Sequence, residues 1–358
     1  MIWILQKKRY SKKSANLLMV ENQDIKMKSI QLTSYNKNII RAMLGLKLVE
    51  KEVGKPGDNE VLVKMHASPC NPSDIAFIQG TYNIVKSLPV VPGFEGSGVV
   101  VEAGESAKYL IDKKISAFVQ SDSEGTWAEY FVVNLNDLIV LQDEMDLDQA
   151  ACFTVNPFTA FGLLEIALLR ESKAIIQNAA GGQVAAIVRK MAYENGIEVI
   201  DIVRKKESVE LLESQGAKHV LIEDEENFQE KLASISLNLR ANIAFDAVGG
   251  NLSGSMLNAL IPDAELVVYG GLSGKPIENI DVMGPIFQNK IISGFNLIDW
   301  KADLEDDEFE KISEHLQNKF ISGDYETVIQ GSTTLENTVK GLRDYITNMS
   351  AGKILIRP

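Results

Sequence analysis

Six short apolar runs separated by amphipathic stretches occupy the middle of this 358-residue chain, and that alternation restricts its fold more than any other feature. The runs are "KAIIQNAA" from Lys173, "IEVIDIVR" from Ile197, "KHVLI" from Lys218, "ANIAFDAVG" from Ala241, "ELVVYGG" from Glu265 and "KIISGFNL" from Lys290. The stretches between most of them, such as "QVAAIVRKMAYENG" and "LSGSMLNALI", carry apolar residues at helical spacing. A strand that is apolar throughout must be covered on both faces, which predicts a parallel sheet. Right-handed crossovers then wind helices onto both sides, giving a doubly wound α/β unit over 156–298.

The preceding third reads as strands and turns. "EVLVKMHAS" from Glu60, "GSGVVVEAG" from Gly96 and "TWAEYFVV" from Thr126 have strand length and strand patterning. They predict a β-rich unit over 27–155. Near its end, "DLDQAACFTVNPFTAFGLLEIALL" opens on Asp caps and continues as a helix that Pro157 should interrupt. After Trp300 the pattern predicts a helix over Glu308–Phe320 and a closing strand "GKILIRP", so 299–358 is expected to return to the first unit. Residues 1–26 hold Lys7, Lys8, Arg9, Lys12 and Lys13 in their first 20 positions, with no acid there. They are expected to be a flexible extension, with an organelle-targeting role as the other reading.

The net charge of −13 argues against nucleic acid as a partner, because phosphate neutralisation needs a basic face. No apolar run reaches the roughly 18 residues of a membrane span. Two cysteines, Cys70 and Cys152, cannot make a disulfide framework, which fits a reducing, cytoplasmic setting. Three scattered histidines offer no zinc-type cluster.

Ligands of doubly wound sheets bind at the carboxyl ends of the strands. The first strand of this one ends in "QNAAGGQV", where Asn178, Ala179, Ala180, Gly181, Gly182, Gln183 and Val184 form a tight turn into a helix. Small residues there bring backbone N–H groups to a pyrophosphate, and the helix adds its positive end. A plain strand-to-helix turn would look much the same. About 20 residues further on, where the ribose reader is expected, stand Arg204, Lys205 and Lys206. Cations in that place suit a 2′-phosphate, so NADPH is expected over NADH. Gly249 and the trio Tyr269, Gly270 and Gly271 end later strands, where backbone can approach a flat ring.

Taken together, "NPSDIAFIQGTY" (Asn71–Tyr82), "LPVVPGFEGSGVV", "GTWAEY", "AACFTVNPFTA", "IIQNAA" and "FNLIDWKADLEDDEF" resemble the medium-chain dehydrogenase/reductase superfamily. The likeness is to its zinc-independent branch of 2-enoyl thioester reductases and quinone oxidoreductases. It implies a Rossmann-type sheet beside a GroES-like catalytic domain, and a homodimer. Zinc-dependent members keep a cysteine and a histidine where this chain has Asn71 and Phe94, neither of which can ligate Zn²⁺.

The resemblance assigns Tyr82 as proton donor or orienter, and it sets Trp300 beside the thioester pocket. It also gives Asn156 and Thr159 contact with the cofactor. Asn71 is the best polar candidate near the nicotinamide. The implied activity is hydride transfer from NADPH to a small-molecule acceptor, either an activated C=C (2-enoyl thioester or enone) or a quinone. Gln183, Ala185 and Asn296 depart from the branch, replacing two glycines and an aromatic. That leaves a non-catalytic dinucleotide-binding protein as the competing reading.

Overall fold

The computed structural model describes residues 26–120 and 123–358, so the expected extension lies outside the described residues except for Lys26. The first unit begins with β1 (Lys26–Leu32) and β2 (Leu46–Glu52), an antiparallel pair. Its main sheet contains β3 (Glu60–Pro69), β4 (Glu95–Ala103), β5 (Lys114–Phe118), β6 (Tyr130–Asn134) and β7 (Leu138–Val140), paired antiparallel.

Two glycines of "VPGFEGSG" set how this sheet packs. Gly93 has φ +97°, a backbone that side chains resist, and a Cβ there would lie 2.4 Å from Cδ1 of Trp127. A Cβ on Gly98 would lie 2.2 Å from the Lys64 carbonyl oxygen on β3. Glycine at 98 is what lets β4 lie against β3.

The second unit is a six-stranded sheet of β8 (Ala174–Gln177), β9 (Glu198–Val203), β10 (His219–Ile222), β11 (Ala241–Asp246), β12 (Glu265–Val268) and β13 (Ile291–Gly294). The order is β10-β9-β8-β11-β12-β13 and every pair is parallel. Winding therefore reverses between β8 and β11, the topological switch point of a dinucleotide-binding sheet. Side-chain alternation explains the continuous apolar runs. Ile175 of β8 and Phe245 of β11 enter the core on one face, whereas Ile176 and Ala244 enter the core on the other.

Pro157 does not interrupt a helix. Asp146 caps a short helix, Leu147–Ala150, by accepting from the Asp148 and Gln149 amides. A new helix then begins at Asn156 with Pro157 in its first turn. Proline is tolerated there because those N–H groups have no intrahelical partner.

The tail divides. The helix Asp306–Ile321 buries Ile312, Leu316 and Phe320 in the core that also holds Ile175, so it packs on the second unit. Only then does the chain cross back: β14 (Ile329–Thr334) pairs parallel with β15 (Lys353–Arg357), and β15 pairs antiparallel with β3. The return to the first sheet thus begins at β14 rather than at residue 299. The first unit's sheet grows to seven strands in this way.

Candidate active site at the domain seam

β8, β9, β11 and β12 are parallel, so their carboxyl ends share one rim, and the expected cofactor residues follow those ends. Ala179 takes φ +48° and Gly182 precedes the helix Gln183–Glu194 with no side-chain cap, leaving the helix's first N–H groups unclaimed. Arg204, Lys205 and Lys206 are exposed, and none forms an ion pair among the described residues. Gly249 has φ +79°, and the amides of Tyr269 and Gly270 both point to the Asp246 carbonyl. At the start of the Asn156–Leu169 helix, Asn156 and Thr159 are buried. Among the described residues, the Asn156 amide Nδ2 has no partner, as expected of a donor awaiting a ligand. Unclaimed amides and exposed cations at the strand ends fit a phosphorylated dinucleotide.

Two residues expected to touch the cofactor use their side chains elsewhere. Asn178 spans the switch point: its Nδ2 donates to Asp246 Oδ1 at 2.6 Å and its Oδ1 accepts from the Ala247 amide at 2.8 Å. Gln183 Oε1 accepts from the Val328 amide at 2.8 Å, tying the phosphate turn to the returning chain. Asp201 is also structural. Fully buried, it pairs with Arg189 at 2.9 Å and accepts from Gln177 at 2.7 Å.

In the catalytic unit, "VPGFEGSG" holds a buried carboxylate. Glu95 accepts from Asn71 Nδ2 at 2.9 Å, Thr154 Oγ1 at 3.1 Å and the Val155 amide at 3.0 Å. Lys353, arriving on β15, donates to Asn71 Oδ1 and lies 5.7 Å from the Tyr345 ring centroid. Asp74 completes the group by accepting from the Asn71 and Phe94 amides at 2.9 and 3.0 Å. Burial pushes the Asp74 carboxyl up to about 7 and raises Glu95 as well. Burial works against the Lys353 ammonium too, but Tyr345, Cys152, Glu95 and Asp74 hold it above its ordinary value overall. Asn71 is therefore not a free catalytic amide. Both ends of its side chain are engaged, because a buried amide must satisfy donor and acceptor alike.

The open space lies beside this centre. A cavity of about 310 Å³ sits between the units, walled by Ile84, Phe118, Leu138, Phe158, Leu297 and Phe309. Gln120 and Thr154 supply polar edges, and Lys301 stands in its lining. Gln120 Nε2 donates at 3.0 Å to the Tyr82 hydroxyl, whose ring packs 5.1 Å from Phe94. That bond occupies the phenol oxygen and leaves its proton free to be given. Burial raises the Tyr82 pKa, and the Gln120 bond lowers it in part. Among the described residues, Gln120 Oε1 is buried with no partner.

Trp300 does not line this cavity. Its indole N–H donates to Glu165 at 2.7 Å, and its ring packs against Phe161 and Phe295. Half-buried at the seam, it packs against the second unit's core while Leu297, Ile298 and Lys301 face the space. Sequence reasoning missed Gln120 and Lys353. Gln120 belongs to no motif; Lys353 was visible only as the charged first residue of an apolar strand.

A β-rich unit and a dinucleotide-type sheet, meeting over an apolar cavity beside a phenol, define a two-domain oxidoreductase fold. Comparison with known proteins agrees. Residues 57–143 match the alcohol dehydrogenase GroES-like domain and residues 184–317 the zinc-binding dehydrogenase family. A mitochondrial enoyl-[acyl-carrier-protein] reductase of Xenopus tropicalis is 35% identical over 272 residues, covering 75% of this chain and 77% of the relative. The Bos taurus enzyme of that name is 33% identical, covering 75% and 72%. A crystal structure from Mesorhizobium loti, assigned as an NADPH:quinone reductase, superposes with a TM-score of 0.87 at 30% identity and covers 95% of this chain and all of its own. This chain belongs to the medium-chain dehydrogenase/reductase superfamily, in its zinc-independent branch of enoyl reductases and quinone oxidoreductases.

Proposed function

We propose that this protein is an NADPH-dependent, zinc-independent reductase of activated C=C bonds (2-enoyl thioesters or enones) or quinones. The observation that carries this reading is the Tyr82 hydroxyl, its oxygen held by Gln120 of the cavity lining and its proton unclaimed among the described residues. When bound, NADPH supplies a hydride to the β-carbon of the acceptor, or to the quinone ring system.

The chain's own groups do the rest. Arg204, Lys205 and Lys206 would hold the 2′-phosphate, for which the forked guanidinium of Arg204 is suited. Asn156 would donate to the cofactor, and the turn 178–184 would present backbone amides to the pyrophosphate. Tyr82 gives a proton to the α-carbon of a reduced C=C, or to an oxygen of a reduced quinone, and is reprotonated from solvent. The apolar walls exclude water, which strengthens every polar contact to the developing enolate oxygen.

Mixing the protein with NADPH and a panel of crotonyl and hexenoyl thioesters and quinones tests this, read as loss of the nicotinamide absorbance. Turnover of at least one acceptor is expected. No turnover, with tight NADPH binding by calorimetry, would instead support the non-catalytic dinucleotide-binding reading.

We also infer a homodimer built through β13. That strand ends its sheet, Ile291 and Ile292 are exposed, and Phe287 beside it is 71% exposed. Sedimentation equilibrium should return twice the chain mass. The relatives' mitochondrial names and the basic residues 7–13 favour delivery to an organelle over the cytoplasm. A fusion of residues 1–26 to a fluorescent protein tests that.

A further inference from the structure

Resting on the reductase reading above, we propose that the physiological acceptor is an uncharged, apolar conjugated carbonyl compound. Acceptors carried on coenzyme A or on an acidic carrier protein are selected against at the cavity mouth.

The cavity is small for a ligand site and its walls are mostly hydrocarbon. Such a space rewards an apolar molecule that it can enclose. Among the described residues, Lys301 is the one cation lining it, and that ammonium is already committed. Its Nζ donates to the Asn136 carbonyl at 2.7 Å and stands 4.7 Å over the Phe309 ring.

The charge around it has the opposite sign. Between Leu297 and Lys311 the chain carries seven acidic residues, all exposed, against Lys301 and Lys311, the latter paired with Asp307 at 2.7 Å. Four cavity-lining residues, Leu297, Ile298, Lys301 and Phe309, alternate with those acids along the same segment. Asp306 and Asp137 both act electrostatically on Lys301, which places their charge at the lining itself.

A thioester on coenzyme A or a carrier protein must leave its phosphates at such a mouth, and phosphate recognition calls for forked or clustered cations. Here an approaching phosphate meets a negative field, reinforced by the chain's net charge of −13. The relatives are named for acyl-carrier-protein substrates; the charge that flanks this cavity selects otherwise.

The test compares one short 2-enoyl group on three handles: an uncharged N-acetylcysteamine thioester, coenzyme A and acyl carrier protein. kcat/KM is measured at saturating NADPH between about 20 and about 300 mM KCl, a range over which the Debye length shrinks several-fold. Ratios between acceptors cancel the salt response of the cofactor. The uncharged thioester should be insensitive to salt. The coenzyme A thioester should be at least about tenfold poorer at low salt and should improve as salt rises, the sign of screened repulsion.

Neutralising the flank with Asp303→Asn, Asp306→Asn and Asp307→Asn together should improve the coenzyme A reaction roughly threefold to tenfold at low salt. The uncharged reaction should stay unchanged. Should that variant not fold, the salt series on the unmodified protein still decides. A coenzyme A or carrier-protein acceptor that is preferred at low salt and loses kcat/KM as salt rises would overturn the proposal. Failure of every acceptor, quinones included, would overturn the reductase reading itself, a different result from loss of selectivity.

Discussion

Two polar groupings lie within one aromatic contact of each other in the catalytic unit, and they differ in how completely their hydrogen bonds are closed. In the Glu95 centre, the carboxylates, the Asn71 amide and the Lys353 ammonium all have protein partners. Across the Phe94 ring, the Tyr82–Gln120 pair has a spare phenolic proton, an orphan amide oxygen and empty space beside it. A closed network holds structure, because any group pulled from it leaves a buried charge alone. An open pair beside a cavity can exchange a proton with a ligand. The Asn71–Glu95 grouping is of the first kind, and the proposed proton transfer belongs to the second.

The largest expected effect that would break this contrast is on turnover. Tyr82→Phe should lower kcat by about 10²- to 10⁴-fold, the usual range for a positioned acid, with the melting temperature nearly unchanged. Lys353→Met should do the reverse. Removing the cation that acts on both Glu95 and Asp74 should cost about 3–5 kcal/mol in urea unfolding, while the folded fraction keeps its kcat. A Lys353→Met protein that folds normally but cannot turn over would erase the distinction between the two groupings.

Smaller effects sharpen it. Arg204→Ala should raise the KM for NADPH roughly tenfold, the loss of one charge-assisted contact, and leave NADH unaffected. Gln120→Ala should lower kcat about threefold to tenfold, by unfixing the donor that Tyr82 provides. It should also move the alkaline limb of the kcat profile to higher pH, because the Gln120 bond is what lowers the phenol's burial-raised pKa.

The smallest effect concerns pH and stability. Asp74 is raised to about 7 in the folded protein, above its unfolded value. Its contribution to stability is thus complete in acid and fades as pH rises through 7. Thermal melts between pH 5 and pH 8 should show that decline, and Asp74→Asn should flatten it.

Much of the architecture could be read from residues alone because burial leaves a simple trace. β8 and β11 are apolar at consecutive positions since both of their faces meet helices, so they stand out without any motif. β14 escaped notice for the opposite reason: "IQGSTT" lies at the edge of its sheet, with polar residues and half its positions exposed. The cofactor rim was legible as a region, since strand ends in a parallel sheet must converge.

Individual roles were less legible, because a polar residue in a ligand-like motif can be satisfied by the protein instead. Asn178 and Asn71 both went that way, and the partner of Asn71 lies 282 residues away in sequence. Trp300 was expected beside the pocket, but the acid that anchors its indole, Glu165, sits on a different element. Gln120 gave no signal, since one glutamine in a loop carries no spacing to read.

The claim that Tyr82 is a positioned proton donor can be put to one measurement. An α-substituted enone is reduced with NADPH in D₂O, and NMR reads which face of the α-carbon receives deuterium. The unmodified protein should give a single diastereomer, and Tyr82→Phe should give slow reduction with both faces labelled. Deuterium on both faces from the unmodified protein, or an unchanged rate and outcome in Tyr82→Phe, would contradict the account.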